Sequence, residues 1–367
     1  MFVLMNLDEL DTPVLLVDGD AFDRNMKHMA TLASQAQVAW RPHAKAHKSP
    51  AIAEMQIAAG ACGICCAKLG EAEVLAAGGS RDILITTPVI GTSKLMRLMQ
   101  LANQTTVSVV ADNKSNLEEM ATCAHNAGVR PDVVIEVDVG QRRCGVPPGH
   151  EALVLARQVM ESEWLNFKGL QGYQGSIQMM PDFDSRRTAN LDALGKLIET
   201  AVIIRNDGIQ VDYLTGGGTG TSVIDAAAHG LTELQPGGYL FMDSRYRDIE
   251  WAHSKRIPFE QSLIVMTSVI SKPADNRCII DMGLKAVSSD GGPPVLQNLS
   301  HASFKFAGEE HGELVWENGG CPLALGEKVF FIPSHCDTTV NLYDRFIVVR
   351  DRVVTDVWDI AARGRVQ

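Results

Sequence analysis

Three cations and two histidines fall within nine consecutive positions, Trp40-Arg41-Pro42-His43-Ala44-Lys45-Ala46-His47-Lys48, directly after a short run that reads as a strand. If the extended chain continues, Arg41, His43, Lys45 and His47 share one face. A lysine crowded by cations has its pKa pushed down. At the C-terminal end of a barrel strand such a lysine is a nucleophile towards carbonyls, as a Schiff base requires. A solvated basic loop is the other reading, and the segment alone leaves both open.

A second candidate is Thr215-Gly216-Gly217-Gly218-Thr219-Gly220-Thr221, which follows the apolar run Val211 to Leu214. Glycines let backbone amides approach an anion and threonines add hydroxyl donors, so the run is a possible phosphate cradle as well as a possible flexible loop. No Lys-Ser/Thr pair follows it, and it lacks the GxGxxG spacing. One phosphate together with one aldehyde describes pyridoxal phosphate, which becomes the cofactor expectation when this run is set beside Lys45.

The third candidate is Pro333-Ser334-His335-Cys336-Asp337-Thr338-Thr339 at the end of the strand-like KVFFI. In an extended chain His335 and Asp337 lie on one face and Cys336 on the other. An imidazole with a carboxylate suits Mn²⁺, Mg²⁺ or Zn²⁺ and leaves positions open for substrate and water. Arg143 could hold a phenolate or carboxylate. Tyr173 and Ser176 could flank a flat cofactor or donate to phosphate, and Gly238 and Tyr239 could add a backbone and a hydroxyl donor. His311 reads as a surface histidine unless its loop folds over the pocket, and Glu71, Glu73, Glu309 and Glu310 read as solvated faces.

These groups must be carried by an alternating framework. Strand-like runs at Val14 to Val17, Ala39 to Arg41, Gly63 to Cys65, Asp82 to Thr86, Thr106 to Ala111, Val133 to Val137, Lys168 to Gly172 and Gln210 to Leu214 alternate with stretches of helical period. Eight βα units in about 230 residues match a closed (β/α)₈ barrel, with an open doubly wound sheet as the alternative. After about Tyr246 the pattern becomes short strands separated by turns, which predicts a separate antiparallel β domain. The expected division is a barrel over residues 12–245 and a β domain from residues 1–11 and 246–367.

The 367 residues are enough for a large buried core, and 46% hydrophobic with 21% charged residues is ordinary for a soluble globular chain. A net charge of −11 supplies no basic field for nucleic acid or for an anionic membrane. No run has the length of a membrane helix, and the eight irregularly spaced cysteines suit a reducing cytoplasm better than a disulfide framework.

Taken in order, RPHAKAHK, GICCAKLGEAE, VDVGQRRCGV, GLQGYQGSIQ, LTGGGTG, ELQPGGYLFMD, DMGLKA, EEHG, PSHCDTTVNLYD and WDIAARG span nearly the whole chain. Together they resemble the metal-dependent D-threonine aldolases and 3-hydroxy-D-aspartate aldolases. These are fold-type III pyridoxal phosphate enzymes, built like alanine racemase and related to D-serine dehydratase. The resemblance implies Lys45 as the Schiff-base lysine, Arg143 beside the cofactor's phenolic oxygen and Tyr173 beside its ring. It implies phosphate contacts from Thr215, Gly217, Gly218, Thr219, Gly238 and Tyr239, and a metal on His335 and Asp337. The dehydratase branch carries His-x-Cys where this chain has His-x-Asp.

The resemblance therefore implies retro-aldol cleavage of D-β-hydroxy-α-amino acids to glycine and an aldehyde, by a homodimer whose β domain completes the partner's pocket. A dehydratase or racemase on the same scaffold is the alternative. One position departs from the pattern: where aldolases of this group read Gln-His, this chain has Gln178-Met179. Methionine takes no proton, so a metal-bound hydroxide or another side chain such as His311 would have to serve.

Overall fold

The computed structural model describes residues 5–252, 257–297, 299, 301–317 and 319–367. The first strand, β1 (Val14–Asp18), runs into α1 (Gly19–Ala36). Asp18 ends the strand and caps the helix, its carboxylate accepting from the amides of Asp20 and Ala21, and α1 stops where Gln37 turns left-handed at φ 53°.

The chain then alternates β2 (Ala39–Trp40), α2 (Pro50–Ala58), β3 (Ile64–Cys66), α3 (Leu69–Ala77), β4 (Asp82–Ile85), α4 (Thr92–Ala102), β5 (Thr106–Ala111) and α5 (Lys114–Ala127). It continues through β6 (Asp132–Glu136), α6 (His150–Glu161), β7 (Asn166–Gly172), α7 (Phe183–Asn206), β8 (Tyr213–Gly216), α8 (Ser222–Ala228), β9 (Glu233–Leu234) and the short α9 (Ser244–Arg247). The eight strands β2 to β9 pair in parallel in the order β2-β9-β8-β7-β6-β5-β4-β3. A bridge between His43 and Cys65 joins the two ends, so the sheet curls into a barrel. Runs such as Val107, Val109 and Val110 or Val133, Val134 and Ile135 are buried on both sides, as strands covered by helices must be.

The second sheet is built from β10 (Leu263–Ala274), β11 (Arg277–Ile280), β12 (Val295–Gln297), β13 (Ala302–Phe306), β14 (Gly312–Trp316), β15 (Lys328–Ile332), β16 (Arg345–Arg350) and β17 (Val353–Asp359), with α10 (Cys336–Val340) after β15. The barrel and the separate second sheet are the architecture expected from the alternation. One strand changes place. The run at Val14, expected to open the barrel, instead pairs antiparallel with β10 and parallel with β16 in the second sheet. Its place in the barrel is taken by β9, which at two residues is too short to leave a periodic signature. Both faces of β1 are apolar: Leu15 and Val17 enter the main core, while Leu16 packs with Leu7, Leu10, Met266 and Ile347 on the other side.

Candidate functional site

Strand β2 ends at Trp40, and Pro42 leads into a one-turn 3₁₀ segment, Ala44–Ala46, that carries Lys45. The tight turn replaces the continuous strand expected from alternation, so the four basic residues do not share a face. Arg41 points to the opposite end of the barrel and is buried on Glu233 at 3.0 Å and Asp82 at 2.8 Å. His47 is fully buried and accepts the Ser49 amide. His43 caps the turn and places Nε2 3.0 Å from Thr86 Oγ1.

Lys45 Nζ emerges 3.8 Å from Asp337 Oδ2. Burial is the strongest single influence and works against its ammonium, with Arg143 on the same side, but Asp337, Tyr173 and Glu71 together hold the lysine above its ordinary range. The expected lowering is thus reversed by an anion from a distant segment. Glu71, expected on a solvated face, is fully buried, with Lys48 Nζ 3.7 Å away and the Ala67 amide donating to it.

Arg143 and Tyr173 meet, with the guanidinium carbon 5.6 Å from the ring centroid. Asp138 shapes the Arg143 loop by accepting from the Gly140 and Arg142 amides. Gln141 Oε1 ties it to the next loop by accepting from Gly175 at 2.7 Å and from Ser176 at 2.9 Å. The Ser176 side chain is exposed and bonds Gln174.

The glycine run leaves β8 and divides by depth. Thr215 faces the barrel interior: its hydroxyl donates to Glu233 at 3.0 Å and accepts from Gln235 at 2.9 Å. It has no freedom to meet a phosphate, contrary to expectation, because its turn along β8 points inward. Gly217 lies at φ +70°, where a Cβ would meet Asp225 at 2.5 Å, and a Cβ on Gly218 would meet Gln178 at 2.6 Å. Beneath them Asp225 accepts from Thr221 and Asn190, both at 2.7 Å, and burial lifts its carboxyl to about 6.

Thr219 Oγ1 accepts the Tyr239 amide at 2.9 Å and also meets the Tyr246 hydroxyl. A Cβ on Gly238 would lie 2.9 Å from the Tyr246 ring. The Tyr239 side chain turns away from this group into the core against Trp40 and Phe259, its oxygen accepting from Gln56 at 2.9 Å. The expected Tyr239 hydroxyl donor is therefore a core contact.

His335 caps α10 and Asp337 occupies its first turn, so a helix start rather than an extended chain presents the pair, while Cys336 is buried. Asp290 Oδ2 lies 2.6 Å from His335 Nδ1. Burial pushes the Asp290 carboxyl up, but bonds from His335, Ser288 and Thr338 overcome it and hold it near 2. Asp243 stands behind the pair, accepting the Cys336 amide at 3.3 Å, with its carboxyl raised to about 6 by burial. No cluster of three or more metal-ligating side chains occurs among the described residues. His311 is exposed beside β14 and has no side-chain hydrogen bond among the described residues. Sequence spacing carried no signal for Tyr246 or Asp290, which reach the site from segments without a motif, and Asp243, though it ends the ELQPGGYLFMD run, did not stand out by residue type or spacing.

A parallel barrel with a lysine just beyond one strand, roofed by a β lobe that lowers His-x-Asp onto it, is the alanine racemase type of architecture. Residues 17–245 match the family model "Alanine racemase, N-terminal domain", and residues 262–349 match "Putative serine dehydratase domain". The chain is 43% identical to D-threonine aldolase of Arthrobacter sp, covering 98% of this chain and 94% of that one. It is 35% identical to 3-hydroxy-D-aspartate aldolase of Paracoccus denitrificans strain Pd 1222, with the same coverages of 98% and 94%. The crystal structure of D-threonine aldolase from Filomicrobium marinum superposes with a TM-score of 0.96 at 38% identity, covering 100% of this chain and 99% of that one. The chain belongs to the alanine racemase-like family of D-threonine aldolase and 3-hydroxy-D-aspartate aldolase.

Proposed function

We propose that the protein is a pyridoxal phosphate- and divalent-metal-dependent lyase that splits D-β-hydroxy-α-amino acids of the D-threonine kind into glycine and an aldehyde. The observation that carries this reading is the 3.8 Å approach of Lys45 to Asp337, which sets the carbonyl-reactive amine beside the metal pair.

The residues fit both groups. Among the described residues the Thr219 and Gly220 amides donate to no protein acceptor, and Gly217, Gly218 and Gly238 leave no Cβ over them. That bare backbone suits a phosphate. Thr219 and the Tyr246 hydroxyl would complete its contacts, Arg143 would meet the phenolic oxygen, and Tyr173 would lie along the ring with Ser176 at its edge. The cofactor supplies an electron sink for the charge left at Cα when Cα–Cβ breaks. His335 and Asp337 offer the mixed nitrogen and oxygen donors that suit Mn²⁺, with Mg²⁺ and Zn²⁺ as alternatives.

Within that frame this chain's own groups have distinct tasks. Lys45 would hold the cofactor through its side-chain amine. Arg143 and Lys45 give the mouth the positive charge that draws the substrate carboxylate. His335 and Asp337 would hold the metal, which would supply the Lewis acidity that lowers the pKa of a β-hydroxyl. Met179 accepts no proton and His311 stands apart, so neither serves as the base for the β-hydroxyl.

Lys45 keeps a side-chain exposure of 40%, so the chain leaves its own mouth partly open. This supports the reading that a second copy completes it as a homodimer. The eight free cysteines suit a reducing cytoplasm. No described helix is long and apolar enough to cross a membrane.

Incubation with D-threonine tests the reaction: glycine plus acetaldehyde in equal amounts supports cleavage. Ammonia plus 2-oxobutanoate would overturn it in favour of the dehydratase that the match at residues 262–349 keeps as the second reading.

A further inference from the structure

The metal pair has a companion that the reaction scheme does not use. Asp290 lies in the segment between β11 and β12, and its two oxygens are both engaged. Oδ2 faces His335 Nδ1 at 2.6 Å, while Oδ1 accepts from Ser288 Oγ at 2.7 Å and from Thr338 Oγ1 at 2.8 Å. The two segments are joined a second time by Ser334 Oγ, which donates to the Gly292 carbonyl at 2.7 Å. Gly291 permits the approach, since a Cβ there would stand 2.8 Å from the Ser334 carbonyl oxygen. An incidental surface pair has one contact and free rotors; here a carboxylate 45% exposed is fixed at one oxygen by the histidine and at the other by Thr338 and by Ser288 of its own segment.

A carboxylate only accepts, so the proton of a neutral His335 ring must sit on Nδ1, which leaves the lone pair on Nε2. The same bond fixes the rotation of the ring about its Cβ. We propose that Asp290 is a positioning residue for the metal site: it selects the Nε2 lone pair of His335 as metal donor and holds the imidazole plane in place. The inference rests on the metal reading above and adds a residue with no ligand role of its own. Outer partners of this kind change metal affinity about 10- to 100-fold when removed.

The test uses cofactor-loaded protein freed of metal by chelation and dialysis, with Mn²⁺ alone as probe and free Mn²⁺ read by electron paramagnetic resonance. Asp290→Ala is expected to weaken Mn²⁺ binding about 10- to 100-fold while the visible cofactor absorbance and the unfolding midpoint stay near wild type. Asp290→Glu should recover part of the loss. In ¹⁵N-histidine-labelled, metal-free protein, the His335 signal, assigned by its loss in His335→Gln, should report Nδ1–H in wild type and a mixture of tautomers in Asp290→Ala. Wild-type protein that binds Mn²⁺ no tighter than Asp290→Ala overturns the inference and leaves the metal reading standing. Wild-type protein that binds no Mn²⁺ overturns both. An Nε2–H tautomer in the wild type overturns the inference whatever the affinities.

Discussion

Lys45 and Asp337 stand 3.8 Å apart although 292 positions separate them, one on the barrel rim and the other on the β lobe. The pair joins the two halves of the proposed chemistry, and substitution should separate them. Lys45→Ala should abolish the visible absorbance of lysine-bound pyridoxal phosphate and all cleavage. Asp337→Asn should keep that absorbance, lose Mn²⁺ binding and lower kcat on the order of 10³-fold. Spectra and rates on the two variants decide it; an Asp337→Asn enzyme with undiminished turnover would sink the metal half.

Chelation should act like the second variant and not the first. Dialysis against a chelator is expected to stop turnover with the absorbance intact, and added Mn²⁺ should restore the wild type but not Asp337→Asn. Loss of cofactor together with metal would contradict the separation.

Tyr239→Phe addresses the core placement of that side chain. It leaves the Gln56 amide without its buried acceptor, at a cost of about 1–3 kcal/mol. Urea unfolding should register that loss while cofactor affinity stays within about twofold, a difference well below 1.4 kcal/mol. A large drop in affinity without loss of stability would return the hydroxyl to the phosphate.

Gly218→Ala tests the cradle. The new methyl would lie 2.6 Å from Gln178 Oε1, and Gln178 is buried and bonded to Thr221. Overpacking of this size costs about 1–3 kcal/mol, so cofactor affinity should fall about tenfold or more. An unchanged dissociation constant in a fluorescence titration would count against the cradle.

Glu136 sets a pH signature in the cofactor-free protein. Burial, opposed by Arg143 and reinforced by Asp112, raises its carboxyl from 4.5 to about 7. An acid whose folded-state pKa is raised contributes stability that is fully present below about pH 4.5 and is lost as pH rises through about 7. Glu136→Gln should flatten this dependence and, at about pH 8, exceed wild-type stability by up to about 3 kcal/mol. Unfolding curves at about pH 5 and pH 8 that respond identically in both proteins would refute it.

The barrel and the second sheet were legible because their periodicities differ, and Lys45, the glycine run and His335 with Asp337 stood out as unusual residue types at strand ends. What stayed hidden depended on side-chain direction and on distant partners. The Thr215 hydroxyl turns inward to Glu233 and the Tyr239 hydroxyl to Gln56, and neither choice is written in local spacing. The raised pKa of Lys45 needed Asp337, and the fixed ring of His335 needed Asp290 from 45 residues away. The place of β1 is not written in its sequence, because an apolar run with two buried faces fits either sheet.

That strand has a consequence for the order of synthesis. Leu16 pairs with Ile264 and with Ile347, so β1 leaves the ribosome well before its β10 neighbour and waits longest for its β16 neighbour. At about 5–20 residues per second that interval is roughly 15–65 seconds. Until β10 emerges Val14 to Val17 is an apolar strand with neither edge covered, and until β16 emerges one edge stays open, the kind of segment that recruits other chains or a chaperone. Truncation before β10 leaves both edges open and truncation between β10 and β16 leaves one edge open for good, so shortened products of this chain should aggregate through β1 even when the barrel itself is complete.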